Sequence, residues 1–305
     1  MPPLPYVSSN DGPRITVNDF VKDPMRIPAI VVSMLDQGFV ADAVLRAAGP
    51  NPGVVRFDEE TPLFADGVAR VRAEYGEVPI YTTSRGTPKN VYSEERPMAI
   101  LVSDETLRRN AIDAVNVSLT QVRNSMTQVW DDVFFDYVLG HSGINHTSTT
   151  TGFSDEDTDI RKVLLSAAYE INRAKDVNGN ELNFRADTII CNPETEFDLT
   201  TQRDFNSVYQ GGNIADENLR YTGKMPSRIL TYDVLVSPRC PDDTLIMMQR
   251  GRAGFISDEL PLQATALYRD EPRKSWRSDI QRASAVGLDQ PKCVTVVTGV
   301  NTPAA

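Results

Sequence analysis

Residues 103–140 read SDETLRRNAIDAVNVSLTQVRNSMTQVWDDVFFDYVLG, and the architecture is decided here. Ser103 is a helix N-cap, and Asp104 and Glu105 place negative charge at the positive end of a helix dipole. Leu107, Ala111, Val115, Leu119, Val122, Met126, Val129, Val133 and Tyr137 then recur every three or four residues until Gly140, which suits the left-handed C-terminal position. Roughly 35 residues at 1.5 Å rise predict a rod of about 50 Å. A single apolar stripe without a strict heptad seam requires a long partner surface.

A later part of the chain offers that surface. Residues 276–286 alternate large apolar and polar side chains, as a half-buried strand does, and after a turn at 287–291 the run Cys293 to Val297 reads as its antiparallel partner. Between helix and sheet, from Gly152 to about Arg250, helical and strand patterns alternate, which predicts a second domain. Ile160, Val163, Leu164, Ala167, Ile171 and Ala174 mark its first helix, and 188–191 a short buried strand. Asn192-Pro193-Glu194 opens another helix with a cap and a proline at the first position. Residues 202–223 form a long polar loop, and strands follow at 228–236 and 245–249.

On the N-terminal side, prolines at 2, 3, 5, 13, 24 and 28 remove backbone donors and bias their predecessors to extended conformations, so this stretch reads as an arm. Apolar residues from Ile30 to Ala48 follow a helical stripe that stops at Gly49-Pro50. From Val54 to Pro97, short alternating runs at 68–72 and 78–81 are mixed with charges and turn residues, predicting an extended hairpin with too little apolar surface for its own core. An isolated two-stranded hairpin is marginal in water, so it must lie on its own body or on a neighbour.

The 305 residues carry a net charge of −11 with 24% charged residues, which excludes a uniformly basic nucleic-acid-binding surface. Cys191, Cys240 and Cys293 match neither a disulfide framework nor a metal knuckle and read as buried thiols. The most apolar stretch, 30–48, is interrupted by Asp36, Gln37, Asp42 and Arg46, so no membrane segment is expected. His141 and His146 lie in a Gly/Ser/Thr-rich loop and read as solvated. Residues 140–143 lack the second glycine of a nucleophile elbow. The acids at 155–159 lack the glycine and glutamate of a calcium loop and face the next helix N-terminus instead, and Gly223-Lys224 lacks the rest of a phosphate loop. No enzyme activity, cofactor or metal site is expected.

This order of parts resembles the Hong Kong 97-type major capsid family of tailed bacteriophages. The residues that carry the resemblance are 74–79 (EYGEVP) in the hairpin, 101–105 (LVSDE) leading into the helix, Arg108-Arg109-Asn110, Trp130-Asp131 and the late strands. It implies an α+β fold with an N-arm and anchoring helix (1–53), an E-loop hairpin (54–98), a spine helix in the P-domain (99–151), an inserted A-domain (152–250) and an antiparallel P-domain sheet (251–305).

By the same resemblance the chain assembles with itself as hexamers and pentamers into an icosahedral head around double-stranded DNA, which it contacts weakly. It takes its place in the virion capsid after assembly in the host cytoplasm. A portal and a decoration protein are the other implied partners, and, since Met1 leads straight into the arm where some family members carry a scaffolding domain, a separate scaffolding protein is expected. Arg70, Arg72, Glu74, Glu94, Glu95 and Arg96 are the hairpin candidates for intersubunit ion pairs, Phe205 and Tyr209 for contacts around the capsomer axis, and Lys89 for a crosslink. An encapsulin-like nanocompartment shell is the alternative with the same fold, and a soluble hydrolase the alternative from another class.

Overall fold

A computed structural model describes residues 25–301 apart from 36–37, 66–70, 73, 79, 83, 110–111, 156–157, 177, 202–227 and 230. The expected arm lies outside the described residues as far as residue 24, and so do Arg70, Phe205 and Tyr209. The first elements are α1 (Arg26–Leu35), α2 (Val40–Val44), β1 (Arg46–Ala47), β2 (Val54–Glu59), β3 (Thr87–Tyr92), β4 (Glu94–Glu95) and β5 (Met98–Ser103). Then come α3 (Asp104–Arg109), α4 (Ile112–Leu139), β6 (Asn145–Ser148), α5 (Ile160–Asn172), β7 (Thr188–Cys191) and α6 (Pro193–Thr201). The last are β8 (Arg228–Ile229), β9 (Tyr232–Val236), β10 (Thr244–Met248), β11 (Phe255–Ala264), β12 (Tyr268–Asp270), β13 (Ser275–Gly287) and β14 (Val294–Thr298).

β13 is the axis of the first sheet. Its 13 residues are paired antiparallel on one edge with β11 and β12 and on the other with β5 and β4, while β1 adds a parallel edge to β11. β5 alternates so that Ile100 and Val102 point inward, and these join Ile280 of β13 and Val115, Leu119, Met126 and Trp130 of α4 in one apolar cluster. Each such side chain, fully buried, contributes roughly 1.5–3 kcal/mol. Ser103 caps as expected, its hydroxyl accepting from Thr106 N–H at 3.2 Å. Arg269 fixes the same helix start by a two-pronged pair with Asp104, and its guanidinium lies over the Trp276 ring at 5.7 Å. That pair holds the Asp104 carboxyl below its ordinary value.

The long helix departs from its expected stripe. Past Met126 the buried residues are Trp130, Asp131, Phe134, Phe135 and Val138, while the expected Val129, Val133 and Tyr137 are only half-buried. Four-residue steps of 100° per residue drift around the helix, and the drift is used: Phe134, Phe135 and Val138 leave the first cluster and enter a second one. One helix thus serves two cores.

The second core surrounds a mixed sheet ordered β6-β14-β10-β7-β9-β8. β14 corrects the expectation that Cys293 to Val297 pairs with the preceding strand. It lies antiparallel to β10, with Ile246 opposite Val296, and parallel to β6. Four of its five residues are buried, the pattern of a central strand that needs neighbours on both edges. Leu288 is fully buried, and a 3-10 turn at Pro291–Cys293 carries the chain from one sheet to the other. Two further expectations are refined. The helix expected over 30–48 is α1 and α2, and the strand expected at 228–236 is the β8–β9 hairpin.

Two polar contacts join the halves. The Asp131 carboxylate on α4 accepts from Val40 N–H (3.0 Å), capping α2, and from the Ser237 hydroxyl (3.2 Å) at the end of β9. Arg282 of β13 is 5% exposed; it grips Asp42 of α2 two-pronged at 2.8 and 2.9 Å and reaches Asp258 of β11 at 3.1 Å. Its guanidinium lies over Phe39 at 4.9 Å and Trp130 at 5.5 Å.

Arg282→Ala is expected to lower subunit stability by about 2–3 kcal/mol, below the roughly 3–5 of a fully buried pair, because the two carboxylates keep some solvent. Urea unfolding of the unassembled subunit measures it. Burial raises the Asp131 pKa above its ordinary 3.8, so the carboxyl favours the fold where it is protonated and loses that contribution as pH rises through its folded value. Asp131→Asn keeps an acceptor for Val40. The urea midpoint of wild type relative to this variant should therefore rise as pH is lowered from 7 towards 4, and a constant difference would refute the sign.

Candidate intersubunit surface

β2 and β3 pair over six residues each, Val54 opposite Tyr92 and Glu59 opposite Thr87, as a sheet of their own. The alternating runs expected as strands at 68–72 and 78–81 form no strand where they are described. The hairpin therefore has a two-stranded root, and the described residues of its tip lie outside any strand.

The root is bound to the body by every kind of contact available to it. Phe57 meets Phe255 edge to face with ring centres 5.1 Å apart. Glu60 N–H donates to Asp289 O (2.9 Å), the Gln290 amide donates to Thr61 O (3.2 Å), and Lys292 stands 3.6 Å from Glu60. At the centre, the largely buried Glu59 carboxylate faces Lys89 Nζ at 2.5 Å through Oε2 and His141 Nε2 at 2.6 Å through Oε1. Gly143 N–H donates to His141 Nδ1 at 3.2 Å, which fixes the ring beside Glu59. Burial raises the nearby Tyr137 phenol and the Asp289 carboxyl, the latter opposed by Arg46 at 3.0 Å.

The tip is the reverse. Val71 is fully exposed, Tyr75 95% and Ile80 90% exposed, with Val78 exposed beside them. Single exposed apolar residues are ordinary, but four large ones on one projecting loop are not.

The residues named from the sequence fall into separate groups. Arg72 and Glu74 are exposed on the tip. Glu94 and Arg96 pair with each other at 2.7 Å beside β13, and Glu95 is exposed on the same short strand. Lys89 is engaged by Glu59 of its own chain. His141 corrects the solvated reading: it is a partly buried partner of Glu59, 82 positions away, whereas His146 is exposed on β6. The apolar tip residues were the missed signal, visible in sequence only as Val71, Tyr75, Val78 and Ile80 in a segment lacking a core of its own.

Cys191, Cys240 and Cys293 are free and buried, and burial pushes the first two thiols up to about 12. Among the described residues no group of three or more His, Cys, Asp or Glu is placed to hold a metal, and no helix is long and apolar enough to cross a membrane.

A family model described as phage capsid protein matches residues 98–297, from β5 through nearly all of β14. The chain belongs to the phage capsid protein family. Solved structures similar to this capsid protein include one from Microbacterium phage Oxtober96 (15% identity, 86% of this chain and 91% of that one, TM-score 0.60). A phage-related protein from Bordetella bronchiseptica (10% identity, 90% and 98%, TM-score 0.60) and a virus-like particle from Pyrococcus furiosus (11% identity, 89% and 97%, TM-score 0.58) share the fold. No curated protein matches the sequence. The fold is the Hong Kong 97-type capsid fold, and the chain is a major capsid protein.

Gly86 crosses the root so closely that an added Cβ would lie 2.0 Å from Glu59 O and 2.8 Å from Thr61 N, both backbone atoms. Gly86→Ala should therefore open the hairpin root and cost roughly 1–3 kcal/mol or more. Limited proteolysis is expected to cut the variant between residues 60 and 86 faster than wild type at equal protein concentration.

Proposed function

We propose that this capsid protein assembles as hexamers and pentamers into an icosahedral phage head that encloses double-stranded DNA, with no catalytic step of its own. The observation that carries the reading is the contrast within one hairpin. Its root is anchored by Glu59, His141, Lys89 and Phe57, while its tip holds Val71, Tyr75 and Ile80 out in solvent. A rigid support under an apolar tip suits a loop that completes its burial on a neighbouring copy.

In this reading residues 1–53 act as arm and anchor, 54–98 as the loop laid on a neighbour, and the A-domain within 152–250 faces the capsomer axis. Arg70, Arg72, Glu74 and Glu95 make rim ion pairs between copies, Glu94 and Arg96 brace their own strand, and Phe205 and Tyr209 meet around the axis. Lys89 serves as an internal anchor, held by Glu59 of its own chain. The net charge of −11 suits a wall that binds packaged DNA weakly. A separate scaffolding protein, a portal and a decoration protein complete the assembly in the host cytoplasm.

The test is expression of the full chain with its neighbouring genes, read by electron microscopy. Uniform shells that hold DNA and give monomer bands on denaturing electrophoresis are expected. A chain that stays monomeric under all conditions overturns the proposal, and shells holding a protein cargo instead of DNA point to a nanocompartment. Val71→Ser combined with Ile80→Ser should leave subunit stability within about 0.5 kcal/mol, as surface substitutions do, yet abolish shell formation.

A further inference from the structure

The second sheet carries two helices whose outer faces are opposite in charge and alike in apolar content. α5 buries Ile160, Leu164, Ala167, Ala168 and Ile171 against the sheet. Its other side exposes Leu165 (46%) and Tyr169 (54%), one turn apart, flanked by three exposed cations, Arg161, Lys162 and Arg173, against one exposed carboxylate, Glu170. Such a basic face is unexpected on a chain with a net charge of −11. α6 reads PETEFDLTT; it contains no basic residue, and its Phe197 is 65% exposed among Glu194, Glu196 and Asp198. Partial burial and the Glu194 carboxylate raise the Asp198 pKa, as expected where like charges crowd.

The two faces belong to different helices. α5 lies against β14, β10 and β6, while α6 follows the end of β7, where Asn192 caps it and its Thr195 hydroxyl donates to Asn301 Oδ1 at 3.1 Å. A contact between two different patches of identical subunits is head-to-tail, and it closes into a ring when the rotation per step divides a full turn.

We propose that the basic, apolar face of α5 in one copy docks on the acidic, apolar face of α6 in the next, joining neighbours around the capsomer ring. The inference rests on the shell reading above and adds the residues that make the lateral contact. Tyr169 and Phe197 are the anchors, and Arg161, Lys162 and Arg173 face the α6 carboxylates. Charge complementarity of this kind steers encounter and sets register, so ring formation weakens as salt screens it.

The experiment is a charge exchange in the full chain under conditions that give wild-type shells. Arg161→Glu with Lys162→Glu reverses the α5 face, and Glu194→Lys with Glu196→Lys reverses the α6 face. Each double variant is expected to lower shell yield by at least about tenfold, the effect of like charges set against each other. The quadruple variant restores opposite signs at every junction and is expected to recover shells; circular dichroism confirms that all three fold. Wild-type yield from either double variant overturns the contact, including the case in which the α5 variant assembles but loses its DNA, which would assign the basic face to nucleic acid. Failure of a folded quadruple variant to recover also overturns it. A wild-type chain that never forms shells instead overturns the shell reading itself.

Discussion

Arg282 is a charge that water scarcely reaches, and the carboxylates of Asp42 and Asp258 allow it to stay there. A planar guanidinium accepts a two-pronged carboxylate in one orientation, so the pair with Asp42 fixes α2 against β13. Because Phe39 and Trp130 cover the guanidinium, the same side chain also sets where α4 crosses the sheet. A buried ion pair adds little stability over apolar packing, and its larger contribution is direction. Direction is what a shell subunit needs. α2 has Val40, Ala41 and Val44 in the second core while Phe39 just before it lies in the first, so Arg282 sits where the two cores meet.

The hairpin differs along its length. Its root commits its polar and aromatic groups to the body, and its tip leaves Val71, Tyr75, Val78 and Ile80 in solvent. The Glu59 carboxylate is central because one group holds β3 through Lys89 and the C-terminal end of α4 through His141. That joins the projecting loop to the helix that spans both cores. The second sheet commits the inner faces of α5 and α6 to packing, and their outer faces differ in charge.

Much of this was legible in the sequence, and what was not has a common physical cause. Ser103 announced a helix because a cap acts over three residues, and the 276–286 strand announced itself by local alternation. The hairpin was legible as a segment that cannot bury itself. The partner of β14 was not, because a run of Val and Thr records burial on both faces but not which strand supplies the neighbours. His141 looked like any loop histidine because its partner stands 82 positions away, and Arg282 looked like the polar half of an alternating strand. At the candidate surface the charges drew notice before the apolar residues between them, although Tyr75 and Ile80 are the more telling exposures.

β14 also sets an order of events. The second sheet cannot close until residues 294–298 slot between β10 and β6, after every other described strand of that sheet has left the ribosome. Gly299 and Asn301 then lock it by donating backbone N–H groups to Asp243 at 3.1 and 2.8 Å. Long-range pairing of this kind is slow relative to local structure. A nascent chain therefore exposes its projecting loop and long helix well before its other half is complete. Synthesis sets an order: an interrupted chain lacks the strand that joins β6 to β10, and its second sheet is left in two pieces.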